Sequence, residues 1–361
     1  MASVEWGEYR IDDLFNIYTG RDVIIGKTSP GEIPLISHQN TENGVTRRIE
    51  HISNRRIFHY EETISLADRG VFYATTQNED FHIGTRVKAL VFKDGKKSEN
   101  VRLFFSSAIN KLQILFTDYS SNATDKLPKY KIQLPVLNGQ IDYNFMESFI
   151  EELEAERIEE LEAYLSVSGL KDTQLTADEL SAVNDLISKN IEFKPFCYDV
   201  IFDKIVQGRR LKKDDQIAGD IPFVMAGVTN TGVVGYISNP VASFPKKSIT
   251  IDIFGNAFYR NYDFGAGDDT GVYWSEKSDY SKEIMLFLTC SMGKSIENKF
   301  SYGKKLRSSQ SFKFKMQLPV KNEQPDYELM STLISAIQKL VIADVVKFSD
   351  EKIKATKQVV G

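Results

Sequence analysis

The sequence predicts an α+β fold: two pseudo-repeated domains of mixed or antiparallel β-structure with short helices. Long antiparallel helices, forming a coiled-coil-like spacer, are expected to separate them. Three observations predict this: an internal repeat, short β-type runs inside each copy, and a change to helical periodicity after each copy. The repeat is direct. Ile132-Gln133-Leu134-Pro135-Val136, followed by Asp142-Tyr143 and Met146, returns as Met316-Gln317-Leu318-Pro319-Val320, Asp326-Tyr327 and Met330, offset by 184 residues. Gly20-Arg21, Gly31-Glu32-Ile33-Pro34 and Asn43-Gly44-Val45 return as Gly208-Arg209, Gly219-Asp220-Ile221-Pro222 and Thr231-Gly232-Val233, offset by 188. Solenoid units run to roughly 20–50 residues. So long a period therefore means two copies of a whole domain, and 361 residues suffice for two separate cores.

The elements follow in chain order. Leu14-Phe15-Asn16-Ile17-Tyr18 before Gly20, and residues 202–206 before Gly208, are rich in aromatic and β-branched side chains and end at turn residues, as strands do. Thr63-Ile64-Ser65-Leu66 and Ser248-Ile249-Thr250-Ile251 read the same way. Residues 101–116 and 281–290 are expected as a short helix in each copy. Residues 142–165 place Met146, Ile150, Leu153, Ile158, Leu161 and Leu165 at spacings of 3 to 5, a narrow stripe like a coiled-coil seam. Seven glutamates between Glu151 and Glu162 cover the other sides. Met330, Leu333, Ile334, Ile337, Leu340, Val341, Val345 and Phe348 form a wider stripe in the second copy. Residues 177–188 form a further helix opened by Thr176 and Glu179, a capping-box pair. Two helices of roughly 24 residues would each span about 36 Å. The expected division is 1–140 and 193–324 as the repeated domains, with 141–192 and 325–361 as helical spacers. Met146, Ile150, Leu153, Leu161, Leu333, Ile337 and Leu340 are the expected partner-binding positions.

Composition excludes several classes. Two cysteines, Cys197 and Cys290, cannot supply a disulfide framework, and no histidine stands at metal-ligand spacing from them. No apolar run approaches the roughly 20 residues that span a bilayer. The N-terminus has no basic segment leading into an apolar one, so a cytoplasmic chain with no membrane partner is expected. The net charge of −5 is unevenly distributed: +1 over 1–140, −10 over 141–190, +4 over 191–324 and 0 over 325–361. The repeated domains are neutral to basic, and one helical segment holds the acid. No nucleophile–base pair or metal constellation emerges; all four histidines lie in the first copy, so shared chemistry cannot rest on them.

The loops suit nucleic acid better. Lysine and arginine neutralise phosphates, while arginine, asparagine and glutamine pair with base edges. In the first copy the candidates are Arg21, Lys27, Gln39, Asn40, Arg47, Arg48, Gln77 and Asn78, with the further pair Arg55-Arg56 between them. In the second they are Arg209, Arg210, Lys212, Asn230, Lys246, Lys247, Arg260, Lys304, Lys305 and Arg307. A catalytic chain with its own nuclease or methyltransferase site, and a helical protein-binding scaffold, are the alternatives at this point.

The chain resembles the specificity subunit of Type I restriction-modification systems, or the related target-recognition subunit of BcgI-like Type IIB systems. The likeness rests on Glu5-Trp6, Leu14-Phe15 and Gly20-Arg21, the Gly31-Glu32-Ile33-Pro34 turn, and Tyr302-Gly303-Lys304-Lys305-Leu306-Arg307. It also rests on both Gln-Leu-Pro-Val exits into helices and on Leu165-Ser166-Val167-Ser168-Gly169-Leu170 before Thr176. The resemblance implies two target-recognition domains, each reading half of a bipartite double-stranded DNA site. It also implies that methylation and cleavage reside in partner methyltransferase and restriction subunits, or in a fused nuclease-methyltransferase. Those partners would dock on the helices and hold S-adenosylmethionine and Mg²⁺, leaving no cofactor and no metal in this chain. The first copy has Tyr119-Ser120-Ser121-Asn122 where the second has Tyr302-Gly303-Lys304-Lys305. The basic loop is thus expected in one copy alone.

Overall fold

A computed structural model describes residues 4–68, 71–116, 126–239 and 243–360. The chain divides into two compact units, Met1–Leu161 and Glu162–Gly361. Unit 1 runs β1 (Glu5–Arg10), α1 (Ile11–Leu14), β2 (Phe15–Thr19), β3 (Pro30–Ile36), β4 (Val45–Ile49), β5 (Thr63–Asp68) and β6 (Phe72–Thr75). It continues with β7 (His82–Ile83), β8 (Val87–Phe92), α2 (Glu99–Asn110), β9 (Lys131–Leu137), β10 (Gln140–Ile141) and α3 (Tyr143–Val167), whose last turns lie in unit 2. Three sheets result, ordered β1-β9-β10, β2-β8-β5-β6 and β4-β3-β7. All pairings are antiparallel except β3 with β7, where Leu35 faces His82.

Unit 2 contains α4 (Ala177–Ile187), β11 (Phe193–Cys197), α5 (Tyr198–Ile201), β12 (Lys204–Gln207), β13 (Ala218–Val224), β14 (Val233–Ile237), β15 (Ser243–Phe244) and β16 (Ser248–Asp252). There follow β17 (Ala257–Arg260), β18 (Phe264–Ala266), β19 (Thr270–Trp274), α6 (Lys282–Ile296), β20 (Lys315–Lys321), β21 (Gln324–Pro325) and α7 (Tyr327–Val360). Its sheets are β11-β20-β21, β12-β19-β16-β17 and β14-β13-β18-β15. Strand for strand this is the first copy again, with β15 added at one edge. The sequence repeat is a repeat of topology.

Each copy keeps two cores. In unit 1, Phe15, Phe92 and Phe105 meet Leu134 and Met146 between α2 and the sheets, while Ile36, Phe81, Val87 and Ala89 fill the space between the second and third sheets. Tyr198, Ile251, Tyr273, Leu288, Leu318 and Met330, then Val224, Phe264 and Val272, repeat the plan. Proline in Leu134-Pro135-Val136 is tolerated because its nitrogen faces away from β1, on the edge where its carbonyl accepts from Asp142 N–H, so no ladder bond to β1 is lost.

The helices need three corrections. Met146 and Leu333 are 0 % and 1 % exposed, so neither can meet a partner; Met146 in the first turn of α3, and Met330 in the first turn of α7, close the cores of their own domains. Helix α7 has 34 residues, well beyond 24. Within Tyr327–Lys354 an 18-residue window reaches a mean hydropathy of 1.7, long and apolar enough by length and composition to cross a membrane. The scattered polar residues that break the apolar run in sequence do not stop the helix. Within unit 2, however, that stretch carries Ser335 and Lys339, both bonded to Glu179 of α4. The capping box of α4 forms as its sequence predicts, Glu179 N–H donating to Thr176 Oγ1 and Thr176 N–H to Glu179 Oε2.

Candidate nucleic-acid interface

The repeated Gly-Arg pair sits where the chain leaves the second sheet. A Cβ on Gly20 would lie 1.9 Å from the Gly84 carbonyl oxygen, and one on Gly208 would lie 2.1 Å from that of Gly267. Only glycine permits such an approach of two backbones. The next residue, Arg21 or Arg209, therefore leaves the sheet at a fixed point, and both are exposed. Exposed neighbours follow: Lys27 in unit 1, and Arg210, Lys212 and Lys213 in unit 2.

In unit 1 the cations line three clefts. One, of about 430 Å³, joins Tyr18, Arg21, Arg55 and Arg56. A second, of about 510 Å³, shares Asn54 and Arg55 and adds Lys27. The third, of about 550 Å³, holds Asn43, Arg47, Arg48, Asn78 and Glu79. The Arg56 guanidinium stacks 4.2 Å from the Tyr18 ring centroid. Arg55 is held by the Asp22 carbonyl at 3.2 Å, while its buried Nε has no partner. The loop bearing this pair is pinned by His82, 1 % exposed. His82 Nδ1 donates to the Arg56 carbonyl at 3.0 Å and its Nε2 accepts from Ile52 N–H at 3.3 Å. Burial holds this imidazole below its ordinary pKa, aided by His51 and Arg55. Gln39 bonds the Val45 carbonyl at 3.0 Å; Asn40 and Asn78 are exposed. Arg47 donates to the Ile25 carbonyl, and Arg48 is paired with Glu79, which cancels much of its charge.

In unit 2 the 302–307 loop is tied by Leu306, 2 % exposed. Arg307 donates to the Asp268 carbonyl, the same oxygen that accepts from Gln207 beside Gly208. Arg307 thus stands at the strand end that carries Arg209. Lys304 and Lys305 are exposed, the latter 4.9 Å from the Tyr302 ring centroid. Asn230 and Lys246 are exposed, whereas Lys247 pairs with Asp279. The first-copy segment from Tyr119 to Asp125 lies outside the described residues.

Residues 3–163 and 190–347 each match the Type I restriction modification DNA specificity domain. The chain belongs to that family. It carries two specificity domains, and recognition of DNA, not catalysis, is its role. It is 24 % identical over 347 residues to the specificity subunit S.BcgI of a Type II restriction enzyme from Heyndrickxia coagulans, covering 94 % of this chain and 96 % of that one. Its fold is similar to the crystal structure of a Type I restriction-modification S subunit from M. genitalium. There the TM-score is 0.62 at 15 % identity, over 99 % of this chain and 95 % of that one.

Two of the residues expected to touch DNA are interior in these specificity domains. Gln77 is 7 % exposed and Arg260 is 1 % exposed. Arg260 Nε donates to Thr250 Oγ1 at 3.0 Å, Nη1 to Thr231 Oγ1 and the Tyr262 hydroxyl at 3.1 Å, and Nη2 to the Thr231 carbonyl at 2.6 Å. Gln77 Nε2 donates to the Asn43 carbonyl at 2.9 Å. Hydrogen-bonding side chains in turn-rich sequence suit a base or a buried carbonyl equally, and only burial separates the two. No sequence signal separates Arg260 from the exposed cations; its pairing with Ser248 in β17 and its bonds to Thr231 place it beneath the neighbouring turn.

Proposed function

We propose that each specificity domain reads one half of a bipartite double-stranded DNA site and directs partner subunits that methylate and cleave. In this reading residues 1–140 and 193–324 are the target-recognition domains. Residues 141–192 and 325–361 are the antiparallel, coiled-coil-like spacers that set the gap between half-sites, as helix length sets spacing in other bipartite readers. The observation that carries it is the duplication of one exit point: Gly20-Arg21 and Gly208-Arg209, each held by the same backbone pinch and each leading into exposed cations. S-adenosylmethionine and Mg²⁺ belong to the partners, a methyltransferase with a restriction subunit or a fused nuclease-methyltransferase. The complex acts in the cytoplasm of a bacterial or archaeal cell.

The partner face is read from the open side of α3. Phe149 is 44 % and Leu153 39 % exposed along a groove of about 700 Å³ edged by Glu152 and Glu156. Ile150 packs against the core beneath it, and Leu161 is half-buried. Ile337 and Leu340 remain exposed on α7. An apolar partner helix with basic flanks fits the α3 groove.

Duplex binding by the full chain, titrated with salt, tests the DNA assignment. Log affinity should fall with log salt at about −0.9 per phosphate contacted. Arg209→Ala with Arg210→Ala should flatten that slope by about 1 to 2 units. Absence of duplex affinity at low salt would overturn the reading.

A further inference from the structure

The turn between the first two strands of the third sheet has the same unusual backbone in both copies. Glu42, Asn43 and Gly44 have φ of 48°, 50° and 80°; Asn230, Thr231 and Gly232 have 47°, 51° and 85°. Three successive left-handed residues, two of them not glycine, cost about 1–2 kcal/mol for each non-glycine member. Thr231 is β-branched, which makes that conformation rarer still. The closing glycine is required: a Cβ on Gly232 would stand 2.6 Å from the Met225 carbonyl oxygen. Such a backbone persists only where surrounding groups over-determine it.

Those groups are present, and they differ between the copies. In unit 1 the Asn43 carbonyl accepts from Gln77 Nε2 at 2.9 Å and from Thr75 Oγ1 at 3.1 Å. In unit 2 the equivalent oxygen, that of Thr231, accepts from Arg260 Nη2 at 2.6 Å. By the register carried through β8 and β19, Gln77, two residues past Thr75 at the end of β6, stands at the position equivalent to Arg260 at the end of β17. One carbonyl is thus captured from below by an amide and a hydroxyl in one domain and by a guanidinium in the other. Arg260 makes its described bonds to hydroxyls and a carbonyl, with no carboxylate among them. Burying a cation without an acidic partner is expensive, and packing alone would be served by an apolar side chain. Above the brace, Glu42 and Asn43, or Asn230, are exposed, as is Thr231, whose Oγ1 also accepts from Arg260 Nη1 at 3.1 Å. In unit 1 they rim the cleft that holds Arg47, Arg48 and Asn78.

We propose that these two left-handed turns are the base-reading elements, one for each half-site, and that Gln77 with Thr75, and Arg260, are the positioning residues that hold them. Strain fixed in advance spares the ordering cost of a flexible loop on binding. The side chains supplied also differ, Glu42-Asn43 against Asn230-Thr231, as two different half-sites require. This rests on the DNA reading above.

The test selects a randomised duplex library with the immobilised full chain. Wild type should enrich two short sequences at a fixed gap. Asn230→Gly with Thr231→Gly keeps a backbone that tolerates the turn and removes its side chains. It should erase one enriched half and leave the other, with a loss of about 5- to 150-fold against the wild-type site. Glu42→Gly with Asn43→Gly should erase the opposite half. Arg260→Met should degrade the same half as the Asn230/Thr231 variant while leaving the salt slope unchanged, because Arg260 touches no phosphate; a phosphate-contacting arginine would lower it. Both halves surviving in the two glycine variants would overturn the proposal while leaving DNA reading intact. No enrichment by wild type would overturn both.

Discussion

Replacing Glu179 by alanine should undock α4 from α7, and the contacts set the size of the effect. Its carboxylate accepts from Ser335 Oγ at 2.5 Å, Lys339 Nζ at 3.0 Å and Thr176 N–H at 2.8 Å, on a side chain only 7 % exposed. Hydrogen bonds to a charged group are each worth about 1.5–3 kcal/mol, and stripping one member from a fully buried ion pair costs about 3–5 kcal/mol. Here Lys339 keeps the Gln174 carbonyl at 2.9 Å and Asp172 at 3.4 Å, so it is not left uncompensated. The net loss should be about 2–3 kcal/mol. For a unit of this size that lowers the melting temperature by about 5–10 °C. The Ser335 hydroxyl, then the Thr176 amide and Lys339, pull the Glu179 carboxyl down to about 2. A depressed carboxyl stabilises the fold above its unfolded value near 4.5, and that stabilisation drains away as pH falls toward 2. Calorimetry should show the difference between wild type and Glu179→Ala shrinking across this window, and hydrogen exchange should show α4 amides opening first in the variant. A melting temperature within about 1 °C of wild type at pH 7, with α4 still protected, would refute the account.

Two further outcomes follow from geometry already described. His82 is neutral in its buried site with a lowered pKa, so stability of unit 1 should be complete above about pH 6.5 and fall as pH drops below it. Residues 52–56 should then exchange faster at pH 5, and His82→Gln should remove the pH dependence. Gly20→Ala forces a methyl group onto a backbone carbonyl that no rotamer change can move aside, and should cost about 2–3 kcal/mol in denaturant unfolding. Gly208→Ala should behave alike in unit 2.

Much of the architecture was legible because the repeated motifs mark backbone necessities. Gly20 and Gly208 mark a close approach, Gly44 and Gly232 a left-handed turn, and Pro135 and Pro319 the matching strands β9 and β20. Such constraints show in sequence because few residues satisfy them. Side-chain roles were less legible. Gln77 and Arg260 offer the chemistry that reads a base edge and spend it on a buried carbonyl. Met146 and Leu333 fit a partner-facing stripe and are buried, Met146 in the core of its own domain. In each case residue type states what a group can bond, and only the surrounding fold states what it meets.

The braces bear on how new specificities could be assembled. A surface loop moved between the two domains would leave its own carbonyl holder behind, because Gln77 and Arg260 come from a different strand pair, and would meet the other domain's holder instead. The portable unit is a hairpin tip together with the far end of β6 or β17, two segments separated by about thirty residues of shared framework. A recombination that exchanges whole domains carries both at once, whereas a short patch carries one and strands the other.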